Sequence, residues 1–471
     1  MNTFDSLTLT AFVSENFEFL TGARIQKIQQ PTRREVILFL RNNGILRKLY
    51  ININPQFYHV CFMSEDNELK RGIEIPQKPP MFCMQLRKYI ENAKIIRVNQ
   101  PDSERILELF FETYDELKEK IELCLTIELM GKHSNIILYN ADNNVILGCA
   151  HNVGPDKSSV REVMGGLPYI YPPKQDKKYI PKHQNDKEEP LKSINDIIDN
   201  CFAEKIYENN LKLIRSELVN YTQKQIKGLI KECELIKKSL ETNKNYEDFK
   251  HIGDLIMANL YNLKDYTPQI TVFDYKNNCE RKITVNEQLT LKENAQNFYK
   301  KYTKIKKRTE KNEEILESYK QKLRYYEDIL YFAENAVNIN DLKEIKSELQ
   351  ASVKHKTEKE KTAVNELEIN GFRVFIGKNN KQNDYIVSKL AKDDDYWFHV
   401  QNSTGSHVLL KCTDPDNKLI YECAKLAKEF SSAKNSSKAG VIYTKAKYLK
   451  KPPKSPLGYV TYKNEQEIVI G

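Results

Sequence analysis

Two stretches of this chain repeat apolar residues at alternating steps of four and three, and that spacing limits the folds open to it. Tyr207, Leu211, Ile214, Leu218 and Tyr221 form one stripe, which resumes at Ile226, Leu229, Cys233, Ile236 and Leu240 after a one-residue slip near Gly228. Leu316, Tyr319, Leu323, Tyr326, Leu330, Ala333 and Val337 repeat the alternation without a break, with Lys and Glu around them. Such a spacing belongs to helices that pack along a shared seam. Each arm, of about 45 residues, would span about 65 Å, more than a helix inside one globular core needs. The arms flank a β-rich segment (270–274 and 281–285), so an antiparallel hairpin within the chain is expected. Pairing between two copies is the alternative.

The remaining sequence divides around these arms. Residues 34–40, 45–53 and 106–111 are strand-like and 81–91 helical, as is the start of the chain, which predicts an α+β domain over 1–175. Pro168, Pro172 and Pro173, followed by a lysine-rich, apolar-poor run, close it with a linker over 176–200. A coiled-coil middle region follows over 201–360, its small insert near 250–291. Residues 361–471 read as a second α+β domain, with strands at 372–376, 397–400, 407–410, 440–443 and 458–462 and a helix at 421–430. The fold class expected is therefore multidomain α+β with a long antiparallel coiled-coil hairpin between the two ends.

A formal charge of +9 would say little if it were evenly spread, but it is not. From Phe430 to Asn464 there is no Asp or Glu, while Lys434, Lys438, Lys445, Lys447, Lys450, Lys451, Lys454 and Lys463 fall there. Folded surfaces normally intersperse the two signs, so this stretch reads as a phosphate-contacting surface. A second cluster runs from Lys300 to Arg308, where a solvated helix face is an equal reading. The nine cysteines never approach a C-x-x-C spacing and read as free thiols in a reducing compartment, not as a zinc site or a disulfide framework. The first residues lack a basic region before an apolar run, and no apolar run approaches membrane-spanning length, so a cytoplasmic location is expected.

Catalytic signatures are missing from the sequence. There is no H-E-x-x-H, G-x-S-x-G, phosphate-binding loop or G-x-G-x-x-G, so no metal and no cofactor is expected, and the chain reads as a non-enzyme. His399 and His407 flank a turn containing Gly405 and can face each other across a hairpin, as structural histidines. Glu104 and Arg105 open the strand at 106–111, where an Arg can fork onto phosphate or stack on a base. On residue type alone the two read as a surface ion pair.

Longer motifs carry a resemblance. Met81-Phe-Cys-Met-Gln-Leu-Arg87-Lys88, Glu128-Leu-Met-Gly131-Lys-His133-Ser-Asn135 and Tyr169-Ile-Tyr-Pro-Pro173 resemble the N-terminal domain of the NFACT family. Gly253-Asp-Leu-Ile-Met-Ala-Asn-Leu-Tyr261 is similar to its coiled-coil region. The run from Gly377 through Asn379 and Asn380 to Asp384, then Asp395-Tyr-Trp397-Phe-His399 and Gly405-Ser406-His407-Val408, resembles its RNA-binding domain. The resemblance implies a factor that binds large ribosomal subunits still carrying peptidyl-tRNA and recruits tRNA, alanyl-tRNA in that family, to extend the stalled chain without messenger RNA. It also implies a tRNA-engaging acid–arginine pair at Glu104 and Arg105, where the family has Asp before Arg. Members usually carry a helix-hairpin-helix module before the first arm, and only a short segment separates Pro173 from Cys201, so a shortened architecture is expected. The family has also been named for fibronectin binding, which leaves surface adhesion as the alternative function. Its N-terminal fold is similar to that of DNA glycosylases that use an N-terminal proline, but position 2 is Asn.

Overall fold

The computed structural model describes residues 4–114, 119–158, 160–173, 193–351, 364–453 and 455–471. The chain forms two compact units, Met1–Asn210 and Leu211–Gly471.

The first unit is built on α1 (Ser6–Leu20), β1 (Arg24–Thr32), β2 (Glu35–Asn42), β3 (Ile45–Asn52), β4 (His59–Met63), α2 (Glu65–Arg71), α3 (Met81–Ile90), β5 (Lys94–Asn99), β6 (Ile106–Tyr114), β7 (Lys120–Glu128), β8 (Asn135–Asn140) and β9 (Ile146–Cys149). The nine strands make one antiparallel sheet in the order β4-β3-β2-β1-β5-β6-β7-β8-β9. Asp5 caps α1 by accepting from the Thr8 amide at 2.8 Å, and Leu9, Phe12 and Leu20 from that helix join Leu86 of α3 in the main core. The inner strands are apolar on both faces because each face is covered. On the second face Tyr139 stacks on Tyr169 at 4.5 Å, and Tyr171 hydroxyl donates to buried Glu108 at 2.5 Å. The 169–173 motif is thus a strap sealing the sheet.

Helix α4 (Ile194–Thr242) starts inside the span 176–200 expected to be linker, of which residues up to 192 lie outside the described part. Its first turns are helical because they are anchored. Asp199 accepts from Arg71 at 2.7 Å, from Ser64 amide at 3.0 Å and from Asn67 at 2.8 Å, all buried or nearly so.

In the second unit the rest of α4 leads to α5 (Glu247–Ala258), β10 (Gln269–Asp274), β11 (Cys279–Thr284), α6 (Leu291–Asn335) and α7 (Ile339–Ala351). A capping box between Thr290 and Glu293 starts α6. The helices run antiparallel within the chain: Ser239 meets Asn312, Tyr246 stacks near Tyr302, and Phe249 near Phe298. The seam is displaced at its base. Ile329, Phe332, Ala333 and Ala336 pack with Leu218, Leu342 and Ile345, so α7 shares it, while Val337 lies beyond α6 and is 78% exposed. The β10–β11 hairpin caps the far end with its own small core of Ile270, Val272, Ile283 and Leu255.

The C-terminal domain consists of β12 (Asn365–Ile369), β13 (Phe372–Ile376), α8 (Asn380–Tyr385) running into a wide turn, β14 (Tyr396–Val400), β15 (Val408–Leu410), α9 (Asn417–Glu429), β16 (Ala439–Lys445) and β17 (Gln466–Ile470). They form a six-stranded antiparallel sheet, β12-β13-β15-β14-β16-β17, with α9 packed on one face. The strand expected at 458–462 does not form. Pro452, Pro453 and Pro456 have no amide to offer a ladder, and one bridge, Lys450 to Thr461, is what remains of the pairing. The edge position goes to β17 instead.

Candidate nucleic-acid interface

The chain leaves β5 through a tight turn, Pro101–Ser103, in which Asp102 takes a left-handed backbone at φ 46°. Glu104 and Arg105 follow, and the Arg105 carbonyl accepts from the Leu129 amide at 2.9 Å, which fixes the start of β6 against the end of β7. The Arg105 guanidinium is held by Tyr58, from the loop between β3 and β4: Nη1 donates to its hydroxyl at 3.1 Å, and the ring centroid lies 5.8 Å away. The ion pair that residue type alone predicted is not formed. Glu104 is exposed and, among the described residues, its carboxylate makes no hydrogen bond or ion pair, so no carboxylate competes with a ligand for the guanidinium.

Arg105 lines an open cleft of about 2140 Å³, shared with Tyr58, Lys132, His133, Arg33, Arg34 and Lys157. The turn Gly131–His133 brings Lys132 and His133 to the rim, and Gly131 permits it by its left-handed φ of 64°. Behind the rim Asn135 is buried; it donates to His151 carbonyl at 2.9 Å and accepts from His151 amide at 3.0 Å, clamping the neighbouring loop. Arg161 pairs with buried Glu128 at 2.6 Å, and burial raises that carboxyl above its usual range. Arg87 is not among the residues lining the cleft; its Nε and Nη2 both donate to Ile28 carbonyl, at 3.0 and 2.8 Å. Lys88 sits 5.1 Å from the Tyr89 ring centroid.

In the C-terminal domain the motif residues are scaffolding. Trp397, 1% exposed, stacks on His399 and meets His407 edge-on, and the two imidazoles lie 5.3 Å apart across the β14–β15 hairpin. Burial holds His399 down to about 4 and His407 well below the ordinary range, so both are neutral. Gly405 is obligatory: a Cβ there would stand 2.7 Å from Ser431 Cβ and 2.9 Å from Phe430 carbonyl. Buried Ser406 donates its amide to that carbonyl at 2.9 Å. Asp395 accepts from Lys411 at 2.6 Å, Asn379 caps α8 and donates to Glu344 of α7 at 2.8 Å, and Asn380 is buried against Tyr325 carbonyl.

The lysine stretch is less uniformly positive in space than in sequence. Lys445 and Lys447 both reach Asp394, at 3.6 and 3.3 Å, and Lys451 pairs with Asp384. Lys434 donates to Asn335 at 2.7 Å, an uncharged partner, and among the described residues Lys438 and Lys450 have no acidic partner. With exposed Lys463, which likewise has no acidic partner among the described residues, these are the lysines of the stretch whose charge is unneutralised; Lys454 lies outside the described residues. Among the described residues no cluster of His, Cys, Asp and Glu could hold a metal, and no helix is long and apolar enough to cross a membrane.

Residues 5–180 and 178–365 match the family model described as NFACT N-terminal and middle domains, and 363–464 match the NFACT protein RNA binding domain. The chain is 27% identical to the Rqc2 homolog RqcH of Bacillus subtilis over 562 aligned positions, covering 99% of this chain and 97% of the relative. It is 26% identical to RqcH of Streptococcus pneumoniae serotype 2, with 99% and 97% covered. The solved N-terminal part of the fibronectin/fibrinogen-binding protein from Streptococcus suis is 36% identical, covering 37% of this chain and 62% of that one with a TM-score of 0.34. The 562 positions aligned with the Bacillus relative exceed the 471 residues of this chain by 91, so the alignment places gaps in this chain. The two stretches of the first family model overlap at 178–180, within the Pro173–Cys201 interval. With matches running from residue 5 to residue 464, the chain belongs to the NFACT family.

Proposed function

We propose that this chain is a non-enzymatic factor of ribosome-associated quality control, which binds stalled large ribosomal subunits carrying peptidyl-tRNA and recruits a tRNA, alanyl-tRNA by family resemblance, so that the subunit itself adds a C-terminal tail. The observation that carries the reading is Arg105: a guanidinium without a carboxylate partner among the described residues, steadied by a tyrosine hydroxyl on the wall of a wide cleft. Arginine presented in this way forks onto phosphate or stacks on an unpaired base. The unneutralised Lys434, Lys438 and Lys450 would add sequence-independent contacts to ribosomal RNA. The work is then done in the cytoplasm, where the ribosomes are.

Affinity-tagged chain from stalled cells should co-sediment with free large subunits at moderate salt and bring tRNA with it. Arg105→Ala should keep the subunits and lose about ten-fold or more of the tRNA, as expected for one charge-assisted contact. Unchanged tRNA recovery would remove Arg105 from the site, and no enrichment on large subunits would refute the function.

A further inference from the structure

We propose that the Arg33–Arg34 turn, with Lys157 and His151, is a second RNA contact in the N-terminal cleft that grips the sugar-phosphate backbone of the nucleic acid engaged by Arg105. The inference rests on the tRNA reading above and extends it to residues that no family motif singled out.

The turn between β1 and β2 is two residues long, since Thr32 pairs with Glu35. Turns of this length favour Asn, Asp or Gly, which accept left-handed backbone. This one holds two arginines, neither with a positive φ, so local conformation gives no reason for them. The turn is closed by other groups: Thr32 hydroxyl accepts from the Arg34 amide at 3.2 Å and donates to Glu35 at 2.7 Å. The nearest carboxylate in sequence is occupied as well, because the other oxygen of Glu35 takes the Tyr50 hydroxyl. Both arginine side chains are exposed and, among the described residues, make no hydrogen bond or ion pair.

Across the same cleft the loop after β9 brings up Lys157 and His151. Among the described residues Lys157 reaches the Asn152 carbonyl, at 3.5 Å, and does not pair with neighbouring Asp156. His151 is fixed by the two bonds from Asn135, while its Nε2 is buried without a partner. After its own partial burial, Arg34, Arg33 and Lys157 are what depress its affinity for a proton, which places all four groups within one electrostatic neighbourhood. Arg33, Arg34 and Lys157 thus line one cleft with the His151 imidazole, and among the described residues none of the three cations forms an ion pair. Like charges repel unless a ligand supplies the counter-charge, and a cluster of unpaired cations in a cleft attracts such a ligand. Cations on two separate turns of an open cleft suit a chain of phosphates better than a single anion.

The test uses the full chain and fluorescently labelled, uncharged tRNA, with anisotropy measured across a salt series. The variant Arg33→Ala/Arg34→Ala/Lys157→Ala should bind about ten- to a hundred-fold more weakly at low salt, and the slope of log K against log salt should fall by about two to three, one for each lost phosphate contact. Arg33→Lys/Arg34→Lys should keep the slope, because the charge remains. If the wild type binds and the triple variant binds equally with the same slope, the second contact is wrong and the tRNA reading stands. Loss of slope in the lysine variant as well would overturn the assignment to charge. If the wild type does not bind tRNA, the reading beneath both proposals falls.

Discussion

Replacing His399 by Gln should change how the C-terminal domain responds to acid, by an amount set by its packing. In the folded protein His399 stacks on Trp397 and meets His407, and it takes a proton only near pH 4; in the unfolded chain it takes one near its ordinary 6.5. Below pH 6.5 the unfolded chain therefore binds more protons than the folded one, and stability falls as pH falls until about 4. Between pH 7 and pH 5 this linkage removes about 2 kcal/mol from the wild type and nothing from the Gln variant. The variant is expected to be less stable at pH 7, with its deficit narrowing by about 2 kcal/mol at pH 5. His407 is present in both proteins and cancels to first order. Trp397 is the only tryptophan in the chain and is almost fully buried, so urea unfolding followed by its fluorescence reports on this domain. A deficit that stays constant from pH 7 to pH 5 would refute the argument that a proton is excluded from His399.

Arg71→Ala should cost about 3–5 kcal/mol, since it strands the buried carboxylate of Asp199, and circular dichroism in urea should show the N-terminal transition moving to lower denaturant. Gly405→Ala should cost about 1–3 kcal/mol in the Trp397 transition, because the added carbon must displace Ser431 and the Phe430 main chain.

The sequence showed most clearly what has a period. The helical arms were visible because Leu218, Leu323 and their neighbours recur at fixed steps, and the strand content at 106–111 and 372–376 was visible because both stretches are apolar with branched or aromatic residues. Sequence and structure part where a neighbour distant in sequence decides the outcome. Residues 458–462 have strand-like composition, but the prolines before them cannot complete a ladder, and 466–470 take the sheet edge. Helix α4 begins at Ile194 because Arg71, Ser64 and Asn67 hold Asp199 there, a contact across more than a hundred residues. The lysine stretch looked uncompensated because Asp384 and Asp394, its partners, lie outside it. At the cleft, Arg105 stands out through its place before a strand together with the family resemblance, whereas Tyr58, Lys157 and His151 have no local signature. Arg33 and Arg34 did leave one trace, a hairpin turn written with residues that no turn requires.

The antiparallel helices also set an order of assembly. Partners along the hairpin are 45 residues apart at Asp254–Tyr299, 73 at Ser239–Asn312 and 121 at Arg215–Ala336. Closing the longest of these loops first costs about 1 kcal/mol more in chain entropy than closing the shortest, a several-fold handicap in rate. The β10–β11 end, where the next residues to pair are already neighbours, is therefore the expected nucleus, and the two helices zip from it toward their base. Lengthening the 275–278 turn with flexible residues should slow refolding, whereas the same insertion after α7 should leave the rate of zipping unchanged.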